Sequence, residues 1–173
     1  MRHLKKFMLL VMMGSLVIFT SCSKDDDGGS GGAAGSGTIT AKIDGTQFTS
    51  LNQTSFAQLT SGGGQTTLAL QGNTSSQVIS ITMNGYDGLG TYEISDDSVF
   101  IVASYVEPNT NDPLNSKIWS APYQNSGVIG EIKISEETDT NIKGTFSFTG
   151  KNNDDGSTKA VTEGAFNLTK KTS

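Results

Sequence analysis

The stretch Ile39-Thr40-Ala41-Lys42-Ile43-Asp44-Gly45-Thr46-Gln47-Phe48 decides the fold. Ile39, Ala41 and Ile43 alternate with Thr40 and Lys42, the period of two that turns one face of a strand toward a core and the other toward water. Asp44-Gly45 tolerates the positive φ values of a two-residue hairpin turn, and Thr46-Gln47-Phe48-Thr49 resumes the alternation. A β-hairpin is therefore expected at the start of the folded part.

The same grammar continues outward from this hairpin. Residues 66–71, 78–84 (closing on Asn84-Gly85), 91–95, 99–106, 117–123 and 128–135 read as strands separated by Gly, Asn, Asp or Pro. Near the carboxyl end, Ile142, Gly144, Phe146 and Phe148 share one face. Asn152-Asn153-Asp154-Asp155-Gly156 then turns the chain into a last strand with Phe166 and Leu168. Val161 is out of phase with Phe166 and Leu168, and Gly164 lies between them, so a β-bulge is expected there to reset the alternation. Residues 51–59 hold the one candidate for a short helix, but Thr54 and Ser55 weaken it and no long apolar stripe supports it, which leaves strand or loop. The expected architecture is all-β: a single-domain antiparallel β-sandwich or partly closed β-barrel of roughly eight to ten strands.

Upstream, Arg2, Lys5 and Lys6 precede the uncharged residues 7–19, the layout of a secretory signal peptide. That run is shorter than the about 20 residues a membrane span needs. It closes on Phe19-Thr20-Ser21-Cys22, and small residues before the chain's one cysteine resemble the lipobox of bacterial lipoproteins, in which the sulfur is acylated and the cysteine becomes the first residue. The expected organisation is a removed leader at 1–21, a lipidated Cys22 with a flexible Asp/Gly/Ser tether over 22–37, and a β domain over 38–173. A flexible segment of that length has a root-mean-square reach of about 20 Å. Lys24 and Asp25-Asp26-Asp27 behind the cysteine also resemble the export signal of Bacteroidota lipoproteins, which implies the exterior face of the outer membrane. The expected membrane partner is thus a bilayer reached through acyl chains, each contributing about 0.8 kcal/mol per buried CH₂.

Composition excludes several function classes. Losing the leader removes three of the 12 basic residues and none of the 17 acidic ones, so net charge moves from −5 to −8. A surface that acidic repels phosphate backbones, and nucleic-acid binding is not expected. The leader also contains the chain's single histidine, His3. Without histidine or a free thiol, Ser-His-Asp and Cys-His catalysis and zinc or non-haem iron sites lack their usual groups, so no enzyme activity and no cofactor are expected.

Several stretches together resemble a family of small Bacteroidota lipoproteins known only as a domain of unknown function. They are Ala41-Lys42-Ile43-Asp44-Gly45-Thr46-Gln47-Phe48, Gly90-Thr91-Tyr92, Gly130-Glu131-Ile132-Lys133-Ile134, and the closing pair Ile142-Lys143-Gly144-Thr145-Phe146-Ser147-Phe148 and Thr162-Glu163-Gly164-Ala165-Phe166-Asn167-Leu168. The resemblance implies an antiparallel β domain on a lipid anchor and carries over no catalytic residue.

The remaining constellations read mainly as structure. Asp96-Asp97, Glu136-Glu137-Asp139 and Asp154-Asp155 lack the spacing of a calcium loop and suit solvated turns, so no metal site is expected. Glycoside hydrolysis needs two carboxylates and no histidine, but alternation places Glu93 and Glu131 on a wet face, away from anything that would raise a pKa, and Glu163 is the third strand acid. Trp119 shares one side of an extended segment with Ala121 and Tyr123. Core packing is the first reading of this pair, and a stacking platform for sugar rings is the second. The abundance of Thr, Ser, Asn and Gln is read as the means by which an exposed sheet stays soluble. The leading functional expectation is a lipid-anchored surface protein with a binding or structural role and a glycan or surface-protein partner. A carbohydrate-binding module using Trp119 and Tyr123 is the alternative, and a carboxylate-based glycoside hydrolase stands behind it.

Overall fold

The computed structural model describes residues 33–172. Cys22, the leader and residues 22–32 of the expected tether lie outside them. The described residues form eleven strands: β1 (Thr38–Ile43), β2 (Thr46–Thr49), β3 (Phe56–Gly62), β4 (Gln65–Asn73), β5 (Val78–Asn84), β6 (Gly90–Ser95), β7 (Ile101–Glu107), β8 (Lys117–Ala121), β9 (Val128–Glu137), β10 (Asn141–Lys151) and β11 (Thr158–Thr172). Two 3₁₀ turns, Asn52–Thr54 and Pro113–Asn115, interrupt the connections.

The strands join in the order β2-β1-β11-β3-β4-β5-β7-β8-β10-β9-β6, and a further β10–β11 pairing closes seven of them into a ring. The long hairpin β10–β11 organises the whole. Along most of its length it is flanked by β1 and β9, so that β2-β1-β11-β10-β9-β6 forms one layer. At its extremities it hands over to the second layer, β3-β4-β5-β7-β8. Lys170, Lys171 and Thr172 of β11 pair with Ala57, Gln58 and Leu59, while Lys151 of β10 pairs with Ser120.

The all-β expectation holds, as a two-layered arrangement with one departure: β11 and β3 run parallel, whereas every other pairing is antiparallel. Alternation reports which side chains face inward but not which strand lies alongside, so the handover at the end of β11 leaves no local mark. The segment expected as strand or loop over 51–59 is both, a 3₁₀ turn followed by the start of β3. Strand β7 begins at Ile101 rather than residue 99, and β8 stops at Ala121, ahead of the cis Ala121-Pro122 bond.

The first hairpin turns at Asp44-Gly45 with φ of 48° and 83°, as its sequence requires. The bulge near Gly164 is present. Phe146 pairs with Gly164 and Phe148 with Val161, so Thr162 and Glu163 together oppose Ser147, and Glu163 has φ 51°. This extra residue brings Val161 onto the same buried face as Phe166 and Leu168.

Both layers contribute to one core. Ile39, Ile94, Ile132, Ile142, Phe146, Phe148 and Phe166 from the first layer meet Leu68, Leu70, Ile79, Ile81, Met83, Tyr105 and Trp119 from the second. Each fully buried aliphatic or aromatic side chain contributes about 1.5–3 kcal/mol relative to exposure. The layers touch closely at glycine, since a Cβ on Gly72 would stand 3.0 Å from the Ile39 side chain.

The domain begins earlier than residue 38. Ala34 is buried, Gly37 donates its N–H to Asn167 O at 2.7 Å, and Asn52 Nδ2 donates to Ser36 O at 2.8 Å. Residues 34–37 are therefore docked against the domain. Ala33 lines a shallow groove with Thr40, Lys42, Gln47 and Glu163 on the outer face of the first layer.

Candidate functional site

Residues 45–86 contain no Asp, Glu, Lys or Arg. They include all of β3, β4 and β5, and the charged residues of β7 and β8 are Glu107 and Lys117, which stand opposite each other at one end of that pair. Alternation sends Ala57, Leu68, Leu70, Ile79, Ile81, Ala103 and Trp119 inward. The outward positions of the second layer then hold only amides, hydroxyls and uncharged apolar groups.

Register places these outward groups in rows across the strands. One row runs Phe56, Gln71, Ser80, Ser104, Ser120 and on to Lys151, each half-buried. Within it the Ser104 and Ser120 hydroxyls share a hydrogen bond of 3.0 Å. A neighbouring row holds Gln58, Ala69, Thr82 and Val102, and another holds Asn73, Val78, Val106 and Ile118. The first row is bordered at each end by a lysine over an aromatic ring. Lys171 Nζ lies 5.0 Å from the centre of Phe56, and Lys151 Nζ 5.5 Å from the centre of Tyr123.

The outer face of the first layer is charged instead. Glu93 pairs directly with Glu131, Lys143 bonds Glu136 at 2.9 Å, and Lys42 bonds Glu163 at 2.8 Å. Glu93 and Glu131 are exposed, as their alternation predicts, and Glu163 at the bulge is exposed too. The two molecular faces thus differ in kind.

Trp119, the expected aromatic candidate, is 3% exposed and belongs to the core. Its Nε1 donates to Ser157 Oγ at 2.9 Å, its ring packs 5.7 Å from Tyr105, and Lys159 Nζ lies 5.3 Å above it. Tyr123 lies beyond the end of β8 and is half-buried, so the two rings do not form a joint exposed platform. A stacking surface built on Trp119 has no room for a sugar, because the ring is already covered by Lys159 and Ser157.

Around Trp119 the polar groups are internally matched. The backbone N–H of Ala160 and the Lys159 ammonium hold the Asp44 carboxyl below its usual range against a smaller opposing effect of burial. Tyr105 accepts from Gln77 Nε2 at 2.7 Å and donates to Glu107 Oε1 at 2.9 Å. Burial, then the Glu107 carboxylate, push this phenol well above its ordinary range, so it stays protonated.

A second network joins three distant elements. Tyr86 donates to Glu137 Oε2 at 2.6 Å, and Lys170 Nζ donates to Glu137 Oε1 at 2.8 Å. Burial opposes ionisation of Glu137, but the hydrogen bonds from Lys170 and Tyr86 outweigh it and hold the carboxyl low. Of the acidic clusters, Asp96 accepts from Gly127 N, Asp155 from Ser157 N, and Glu136 pairs with Lys143, which is the work of turn and surface residues. Glu137 differs, because it ends β9 and is partly buried.

The uncharged face escaped a reading built on motifs and clusters, because its signal is an absence. The run 45–86 is legible as a charge gap in a chain that is 17% charged. Its meaning depends on knowing that β7 and β8 extend the same face.

The family described as Domain of unknown function (DUF6252) matches residues 35–168. Its start agrees with the docking of the chain at Ala34. No curated protein and no solved structure matches.

Proposed function

The chain belongs to this family of unknown function, and from that premise we propose a non-enzymatic binding protein held by lipid on Cys22 at the outer membrane, facing the cell exterior. The observation that carries the binding role is the charge-free outward face of β3-β4-β5-β7-β8 beside a charged first layer. Charge elsewhere on this acidic domain is spread over the first layer, and a five-stranded face without any is suited to a partner that is itself uncharged.

The proposed anchor rests on the signal-like leader and Phe19-Thr20-Ser21-Cys22, together with the Bacteroidota lipoprotein resemblance. The path of the chain is consistent with it. Residues 33–37 meet the domain over the first layer, so the expected flexible tether would join on that side without fixing the domain's orientation.

The carbohydrate-module reading through Trp119 and Tyr123 loses its support with Trp119 buried under Lys159. The glycosidase reading finds Glu93, Glu131 and Glu163 open to water on the outer face of the first layer, with no cleft among the described residues to place a sugar between two of them. The test of the proposal is metabolic labelling with an alkyne fatty acid and protease treatment of intact cells. Wild-type protein is expected to carry the label and to be shaved, and Cys22→Ser to carry none. Unlabelled wild type, or protein resistant to protease until the cells are broken, would remove the placement.

A further inference from the structure

We infer that the outward face of the β3-β4-β5-β7-β8 layer binds an uncharged polysaccharide chain laid across the strands along the row Phe56, Gln71, Ser80, Ser104 and Ser120. The inference rests on the binding role proposed above and gives that role a ligand class. Five strand-to-strand steps from Phe56 to Lys151 span about 24 Å, the length of a short run of sugar units in an extended chain.

The chemistry of the row matches hydroxyl-rich, neutral polymer. Gln71 offers both a donor and an acceptor, and Ser80, Ser104 and Ser120 present hydroxyls that donate and accept, the pairing that sugar hydroxyls require. Phe56 and Tyr123 mark the two ends of the row, each with a lysine ammonium over its ring, so the row's hydroxyls and amide are the groups left to meet a ligand. An anionic polymer would meet only those two ammonium groups, both already engaged, and a cationic one would meet no carboxylate on the face.

A protein partner fits less well. Tight protein interfaces centre on a buried aromatic or arginine anchor. Here the centre of the face is serine, and the exposed apolar groups Val102 and Ile118, 39% and 48% exposed, lie off the row. The occupant most complementary to this pattern is neutral glycan.

The test uses the full-length chain purified in detergent, in affinity gel electrophoresis against soluble neutral polysaccharides (xyloglucan, mixed-linkage β-glucan, glucomannan, pullulan, dextran and levan), with polygalacturonate and heparin as charged controls. Retardation by at least one neutral polymer and by neither charged control is expected. Ser104→Lys and Gln71→Glu, which place charge within the row, should each weaken it by about tenfold or more, equivalent to about 1.4 kcal/mol. Thr145→Lys, on the opposite layer, should leave it unchanged. Thermal melts establish that each variant folds, and Ser120→Ala replaces any that does not.

A blank panel overturns the inference. So does retardation by the charged polymers alone, or equal retardation of wild type and folded row variants. Sedimentation showing a dimer that Ser104→Lys dissolves would instead assign the face to a second copy of the chain. Lipid labelling is read separately, so a labelled chain that binds no glycan sinks this inference alone, and an unlabelled chain that binds glycan sinks only the anchored placement.

Discussion

Lys159 Nζ lies 5.3 Å above the Trp119 ring and 3.2 Å from Asp44 Oδ2, so one ammonium group ties the β1–β2 turn to the core tryptophan. The contact joins β11, β8 and the first hairpin at a point where β8 and β10 share a single residue pair, Ser120 with Lys151. Ser157, from the β10–β11 turn, completes the cover by accepting the indole N–H.

Trp119→Ala should therefore cost about 3–5 kcal/mol, the range for emptying a core aromatic site. Lys159→Met keeps the stem and should cost only about 0.5–1 kcal/mol. Urea denaturation followed by circular dichroism measures both. A Trp119→Ala chain as stable as wild type would mean that the ring is not part of the packed core.

Glu137 sets an acid limit to stability. Its folded pKa is depressed, so its contribution is fully present above the unfolded value of about 4.3 and is lost as pH falls through the lower folded value. The melting temperature of wild type should drop between about pH 5 and pH 3, and Glu137→Gln should flatten that slope. Lys170→Met, which strands a carboxylate in a site where the pair is 10% and 21% exposed, should cost about 3 kcal/mol at neutral pH. Parallel pH profiles of wild type and Glu137→Gln would refute the assignment.

Gly164 sits at the bulge with the Phe146 ring 2.7 Å from where a Cβ would be. Gly164→Ala should destabilise by about 1–3 kcal/mol, since the backbone and ring beside it must both move. Gly62, at the end of β3, has open space around it, and Gly62→Ala should be neutral or stabilising by up to about 1 kcal/mol. Equal melting temperatures for the two variants would contradict the close packing at the bulge.

Glu93 and Glu131 face each other across the β6–β9 ladder, two like charges on exposed neighbouring positions. Glu93→Gln should stabilise by about 0.2–1 kcal/mol, with a smaller gain at high salt because the repulsion is screened. A loss of stability at low salt would show that the pair is held by something other than its solvent exposure.

Much of the fold was legible because alternation acts locally. The hairpin at Asp44-Gly45, the two faces of β10 and the bulge that rephases Val161 follow from residues within a few positions of one another. The outward facing of Glu93 and Glu131 follows in the same way. Trp119 was harder, since alternation puts it beside Ala121 on one side of a strand without stating whether that side meets the core or a cleft. The docking of residues 34–37 was also missed, because Gly, Ser and Ala have no apolar bulk to announce a contact made through backbone groups to Asn167 and Asn52.

The amino-acid order alone determined that this is a β protein with a hairpin at Asp44, a core of alternating aliphatic and aromatic residues, and no charge between residues 45 and 86, since each depends on short-range periodicity or on composition. Only the tertiary structure decided that β11 leaves its layer to run parallel to β3, that Trp119 is sealed under Lys159, and that the uncharged strands β3, β4 and β5 are extended by β7 and β8 into one continuous face. Those outcomes depend on which strands become neighbours, a choice made by packing two layers over a shared core between residues far apart in the chain.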